Sequence, residues 1–234
     1  MAGVGHEVLA AVLRVRGASL QVMLWERARE PHAHRWSLPG GGLRVDEDVE
    51  TSIRRQLAEK VDVRQLSHVE QLAVFSAPDR VPPPRAVATA FLGLVPSDVD
   101  PEVPSDTAWH CVEKLPPMAF DHALIVDRAR HRLGSKLSYT NLGFALAPPE
   151  FTISLLRDHY SAALGYRVSA TNLQRVLSRR LLLEPTGGTA PPGPSGGRPA
   201  ALFRFSAKGI KVTDPFAVLR PPGSGRPAGG GGTP

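Results

Sequence analysis

Residues 39–63, PGGGLRVDEDVETSIRRQLAEKVDV, constrain the fold more than any other stretch of this chain. Three glycines, Gly40 to Gly42, lead towards a segment from Thr51 to Lys60 that lacks glycine and proline and carries Ile53, Leu57 and Val61 at helical spacing. A glycine-rich turn feeding an amphipathic helix is therefore expected. Positions 56, 59 and 60 share one face of such a helix. They hold Gln56, Glu59 and Lys60: an amide, a carboxylate and an ammonium, with no net charge. Three carboxylates at this spacing would form an oxygen nest for Mg²⁺ beside a phosphate substrate. A lysine about 4 Å from a divalent ion costs several kcal/mol even at an effective dielectric of about 20. The helix keeps the layout of a phosphate-chemistry site and lacks its charges.

A chain of 234 residues with 42% hydrophobic content is long and apolar enough for one or two packed domains. The single cysteine, Cys111, excludes an internal disulfide framework and fits a reducing cytosol as a small half-buried apolar residue. No run is long enough to span a bilayer, and HEVLAAVLRVRG near the N-terminus lacks the pattern of a secretory signal, so no membrane partner is expected. The formal charge of +6 is unevenly placed: residues 1–150 carry −2 and residues 151–234 carry +8. A neutral-to-acidic first part joined to a basic second part points to a polyanionic partner for the second. A solvated basic surface would carry the same charge, so other features must decide.

In the first part, Glu7–Val15 and Leu20–Trp25 read as a hairpin across Arg16-Gly17-Ala18-Ser19. Val69–Ser76 and Ala86–Leu94 read as two more strands around the proline-rich turn Asp79–Arg85, and Trp109–Lys114 as a last strand. Strands in mixed order interrupted by a helix imply an α+β sandwich. Asp121 is read as the cap of a helix His122–Leu133 ended by Gly134, a reading preferred over a catalytic Asp121–His122 pair because no nucleophile is in view. Pro148-Pro149 then marks a boundary.

Beyond it, Thr152 is expected to cap a helix Ile153–Leu164 with Leu155, Leu156, Tyr160 and Leu164 as its apolar stripe, ended by Gly165. After the turn 166–168, Ser169 or Thr171 caps a second helix to about Leu182. This is a helix-turn-helix layout. In the second helix Leu173, Val176 and Leu177 face inward, leaving Thr171, Asn172, Gln174, Arg175, Ser178 and Arg179 outside. Of these, Thr171, Asn172, Gln174 and Arg175 suit the base edges of the major groove. The segment PTGGTAPPGPSGGRPA is expected as a flexible excursion before a strand Ala201–Phe205, making a winged helix. Arg198 sits where a wing meets a narrow groove; Arg179, Arg180, Arg204 and Lys208 are further candidates for phosphate or minor-groove contacts. The final PPGSGRPAGGGGTP has too little apolar area to pack and is expected to be disordered.

Residues 41–63 resemble the Nudix box, G-x5-E-x7-R-E-U-x-E-E-x-G-U with U aliphatic: Gly41, Glu47, Arg55, Leu57, Glu59 and Val63 match, while Gln56, Lys60 and Asp62 depart. With AFDH at 119–122, FTISLLRD at 151–158, SATNLQRVLSRRLLLEPTG at 169–187 and GGRPAALFRF at 196–205, the chain resembles the Nudix-related transcriptional regulators of the NrtR type over roughly residues 5–206. The resemblance implies a Nudix-like α/β/α sandwich followed by a winged helix-turn-helix domain. The corresponding division is a ligand-sensing domain over 5–118, a connecting helix and linker over 119–148, a DNA-binding domain over 149–220 and a tail over 221–234. It also implies a homodimeric bacterial repressor of NAD biosynthesis or salvage genes that binds double-stranded operator DNA and responds to ADP-ribose or an NAD-related nucleotide. Members differ in whether ADP-ribose pyrophosphatase activity survives, and Gln56 and Lys60 argue for its loss here. No catalytic residue, resident metal or cofactor is assigned. By position in the Nudix fold, Arg27, Gly41, Glu47, Arg55 and Glu59 are candidates for the ligand pocket. Arg55 is read as a brace pairing with carboxylates ahead of a ligand contact, Arg27 equally as a surface arginine, the glycines equally as a tight turn, and Trp36 and Trp109 as core residues before they are adenine platforms. Two other readings stay open: a pyrophosphatase holding metals on Glu47, Glu50 and Glu59, and a non-catalytic module for RNA or acidic protein.

Overall fold

The computed structural model describes residues 3–61, 65–191 and 199–213, with the side chains of Lys60 and Val61 outside the description. Among these residues, seven strands form one mixed sheet built around β1 (Gly5–Arg16). β1 runs parallel to β6 (Ala86–Leu94) in the register Gly5↔Ala86 to Leu13↔Leu94. Its other edge is shared by two partners in succession. The glycine strand β4 (Gly40–Gly42) pairs with Glu7–Leu9, and β2 (Ser19–Glu26) pairs with Leu13–Arg16. The β1–β2 turn places Gly17 and Ala18 at φ 56° and 59°, the two positive φ angles that match the twist of a two-residue hairpin. β3 (Trp36–Ser37) and β7 (Thr107–Cys111) extend the sheet beyond β2, and β5 (His68–Phe75) closes the other edge on β6. Neither β3 nor β4 is long enough to show a period-2 pattern, which is why sequence reading passed over them.

Period-2 alternation in β1 separates the two cores. Val8, Ala10 and Val12 join Ile53 and Leu57 of α1 (Val49–Val61), the helix of the box. Leu9, Ala11, Leu13 and Val15 join Ile125, Val126, Ala129, Leu133 and Leu137 of α2 (His122–Tyr139). The sheet is thus sandwiched between two helices, as the sequence implied.

Several expectations need correction. α2 does not stop at Gly134 but runs on to Tyr139, because Leu137 is buried in the same core as Leu133 and the residues before it. Asp121 stands at the start of α2 but makes no side-chain cap bond, its carboxylate being taken by Arg80. The segment 140–148 is largely buried and includes a 3-10 turn, Leu142–Ala145.

α3 (Ile153–Leu164) is capped by Thr152, whose Oγ1 accepts from Leu155 N at 3.2 Å, and ended by Gly165 at φ 76°. Its buried stripe is Leu156, His159, Tyr160 and Ala163; Leu155, placed in that stripe by sequence, is exposed. α4 (Ala170–Arg179) is capped by Ser169 rather than Thr171 and stops three residues short of Leu182, since Leu181 turns to φ 56°. β8 (Leu183–Ala190) and β9 (Ala200–Phe205) form the wing hairpin. The first half of the proline- and glycine-rich excursion is therefore strand. A bulge between Pro185 and Thr189 absorbs Gly187 at φ 81°, and Thr186 Oγ1 accepts from Gly188 N at 3.2 Å and donates to Leu202 O at 3.3 Å. Leu156, Tyr160, Leu173 and Leu177 belong to the same apolar core as β1 and α2, so the C-terminal domain packs directly on the first.

Candidate functional site

The box residues do come together, as a closed ion cluster. Asp48 opens α1 by accepting from Thr51 N at 2.7 Å. One turn further along, Arg55 donates to Glu47 through Nε (2.8 Å) and Nη2 (2.6 Å) and to Glu59 through Nη1 (3.1 Å). The Arg55 guanidinium, helped by the Arg44 N–H, holds the Glu47 carboxyl down to about 2, and in return the arginine is pushed up. Gln56 is buried and its Nε2 donates to Gly42 O at 3.3 Å. Gly41 pairs with Val8, and Gly40 is required by packing: a Cβ there would lie 2.1 Å from Val8 O. These residues do not fit the divalent cation that the box pattern would hold. Both matching carboxylates are spent on Arg55, a buried amide donor replaces a third, and Lys60 follows in sequence. Among the described residues no three His, Cys, Asp or Glu side chains converge on a cation position.

On the opposite face of the sheet, a cleft of about 1400 Å³ opens between α2 and the segment 76–85. Five arginines line it: Arg35, Arg80, Arg85, Arg128 and Arg132. Three are already committed. Arg80 forms a fork on Asp121 (2.9 Å twice) and donates to Glu7 at 2.6 Å; Arg132 donates to Leu72 O at 3.0 Å and Glu70 at 3.3 Å; Arg85 donates to Ser76 O at 3.1 Å. Arg35 and Arg128 are exposed and carry no side-chain hydrogen bond among the described residues. At one end of the cleft Phe120 and His32 adopt φ 51° and 68° and meet edge to face at 4.9 Å. Such backbone angles in non-glycine residues are costly and concentrate at functional sites. Arg27 lies here, 4.8 Å over the Phe120 ring and tied to Pro31 O at 3.1 Å, away from the Arg55 cluster. The ligand candidates read from sequence therefore divide between two faces. The cleft arginines were missed, although Arg128, His131 and Arg132 recur on α2 at helical spacing.

His122 is buried, and burial pushes its pKa down to about 4. Neutral near pH 7, its Nδ1 accepts from Leu38 N at 3.0 Å and pins β3 to the start of α2. Trp36 packs 4.1 Å from His110, and Trp109 lies under Arg14 at 4.0 Å, so both pack against protein groups.

In the C-terminal domain, α4 buries Leu173 and Leu177 and half-buries Val176. Thr171, Asn172, Gln174, Arg175, Ser178 and Arg179 are all exposed, as expected. Val168 N donates to Ser161 Oγ at 3.0 Å, fixing the turn between α3 and α4. Tyr166 and Arg167, also exposed in that turn, were not singled out by sequence. Two other candidates have partners within the chain: Arg180 donates to Ser138 O at 2.9 Å, and Arg204, exposed on the wing, donates to Glu184 at 3.0 Å. Lys208 is exposed but lines a cleft with Asp98 and Pro148 at the seam with the first domain. Arg198 lies outside the described residues.

The NUDIX domain model matches residues 5–129, more than half of the chain. The chain belongs to the Nudix family. The NrtR DNA-binding winged helix domain matches residues 143–205, so the protein is a Nudix protein of the NrtR type. The ADPR responsive transcriptional repressor NtrR of Acinetobacter baylyi is 29% identical over 218 residues, 90% of this chain and 86% of that one. NrtR from Shewanella oneidensis, in a crystal structure complexed with a 27-mer DNA, is 28% identical with a TM-score of 0.73, covering 86% of this chain and 93% of that one. The NUDIX domain of the same Shewanella protein, complexed with ADP ribose, is 29% identical with a TM-score of 0.51, covering 57% and 90%. Among the described residues no helix of this Nudix protein is long and apolar enough to cross a membrane.

Proposed function

We propose that this Nudix protein is a transcriptional repressor that binds operator DNA as a homodimer and responds to ADP-ribose or a related nucleotide, controlling genes of NAD biosynthesis or salvage. The observation that carries the reading is the outer face of α4: six polar side chains, two of them arginines, all exposed on a capped helix whose other face is packed. A helix presented in this way suits the major groove, and a dimer supplies two of them for the halves of a palindrome. The relatives bound to DNA and to ADP ribose support the same assignment. We place the nucleotide in the cleft beside α2, where Arg35 and Arg128 are free to meet a diphosphate and Arg27 and Phe120 stand at one end. The Arg55 cluster on the other face is a brace, and the Nudix domain senses the nucleotide without cleaving it.

The test is selection of binding sites from random duplex DNA by the full chain, repeated with ADP-ribose, NAD and nicotinamide mononucleotide. A palindromic site whose occupancy changes with ADP-ribose supports the reading. Recovery of no preferred sequence, or robust ADP-ribose hydrolysis with Mg²⁺ or Mn²⁺, overturns it.

A further inference from the structure

We infer that Asn172 is a positioning residue for Arg175 and that the two together read a single guanine in each operator half-site. The inference rests on the operator-binding reading and adds which base is read and by which group. Arg175 Nη2 donates to Asn172 Oδ1 at 2.7 Å, across one turn of the outer face of α4. The backbone beneath is fixed as well, since Asn172 N donates to Ser169 Oγ at the helix cap.

The chemistry of the two groups then decides their roles. An asparagine that reads adenine needs its Oδ1 to accept from N6 while its Nδ2 donates to N7. Here Oδ1 already serves the guanidinium. Arg175 keeps the second N–H of Nη2 together with those of Nη1 and Nε, enough for a two-pronged contact with guanine O6 and N7. An exposed arginine ordinarily loses much rotamer freedom on binding. A guanidinium already held by Asn172 loses less, so the bond raises the preference for guanine without touching the base. No carboxylate is recorded against either side chain among the described residues, so the arginine stays aimed outward rather than neutralised.

The test uses the full chain and its selected operator, with all four bases substituted at each position. Arg175→Ala is expected to lower the preference for guanine about 5- to 150-fold at one position per half-site. Asn172→Ala should lower it roughly 2- to 10-fold at that same position and leave the others alone. Asn172→Asp should retain the guanine preference, because a carboxylate accepts the same bond, while weakening every sequence alike by repelling phosphates. The double variant Asn172→Ala with Arg175→Ala should match Arg175→Ala alone. If Asn172→Ala instead erases an adenine preference at a different position, with additive effects in the double variant, the positioning role is wrong and operator binding stands. A wild type that selects no sequence sinks the operator reading and the positioning role together.

Discussion

Arg80 is the residue whose replacement tests the Nudix domain most severely. Its side chain is 1% exposed and faces two carboxylates, Asp121 at 18% and Glu7 at 27% exposure. Arg80→Met leaves those two anions facing each other inside the sandwich with nothing to neutralise them. Removing one partner of a buried pair costs about 3–5 kcal/mol, and the residual exposure of Glu7 and Asp121 places this case near the lower end. For a chain of this length each kcal/mol lowers Tm by roughly 2–4 °C, so a fall of roughly 6–12 °C is expected by circular dichroism at pH 7. The triple variant Glu7→Gln, Arg80→Met, Asp121→Asn removes the charges together and should recover most of that loss, because the desolvation penalty disappears with them. A melting temperature for Arg80→Met within about 2 °C of wild type would refute the assignment of Arg80 as a buried cross-link between β1 and α2. It would return this arginine to the pool available for a ligand.

Arg35→Ala and Arg128→Ala should each weaken ADP-ribose binding about 10-fold or more by calorimetry, as expected for loss of a charge-assisted bond, with melting unchanged. Burial alone would raise the Glu70 carboxyl, but hydrogen bonds from His68 and Lys136 outweigh it and hold it down to about 2 against an ordinary 4.5. Its stabilising contribution is thus full above pH 4.5 and lost as pH falls towards 2. Glu70→Gln should cost about 1–2 kcal/mol at pH 7 after solvent screening, and denaturant titrations should show the two proteins converging between pH 5 and pH 2. Gln56→Glu with Lys60→Glu should raise Mn²⁺ affinity measured by calorimetry; an unchanged affinity would show that the Arg55 cluster, not the missing charges, prevents metal binding.

The sandwich, the winged helix and the outer face of α4 were legible because each rests on a local pattern: continuous apolar runs in β1 and β6, helical spacing in α1 and α4, and turn residues at Gly17 and Gly165. What was not legible depends on partners far apart in sequence. Asp121 looks like any capping aspartate until Arg80, forty-one residues away, is seen to hold it. Gly134 looks like a helix end until Leu137, one turn further on, is seen to be buried in the core. Glu47, Arg55 and Glu59 sit at box spacing whether they hold a metal or one another, and only the bond lengths separate the two. The cleft was hidden for the same reason, since its arginines come from three separate segments.

The arrangement of α2 limits how an effector can act on DNA. Leu124, Arg128, Arg132 and Ser135 line the arginine-lined cleft on one stripe of this helix, while Ile125, Ala129, Leu133 and Leu137 fill the core on another. A third stripe meets the winged helix: Arg130 lies over Gly165, Gly134 against Leu164, and Ser138 O accepts from Arg180. The segment after β9 is laced back onto the same end, with Thr213 N donating to Tyr139 O at 2.8 Å and Lys211 N to Asn141 Oδ1 at 2.6 Å. Swinging the winged helix away from its own Nudix domain would therefore open the apolar core that the two share, at about 1.5–3 kcal/mol for each large apolar side chain exposed. That exceeds the 1–3 kcal/mol typical of an allosteric coupling. A nucleotide in the cleft is better placed to rotate two whole chains against each other, and a small rotation suffices, because the two recognition helices must sit roughly 34 Å apart to engage both half-sites. Whatever factor the nucleotide imposes on operator affinity, the operator must impose on nucleotide affinity. Equal nucleotide affinities with and without operator would leave the cleft uncoupled from DNA.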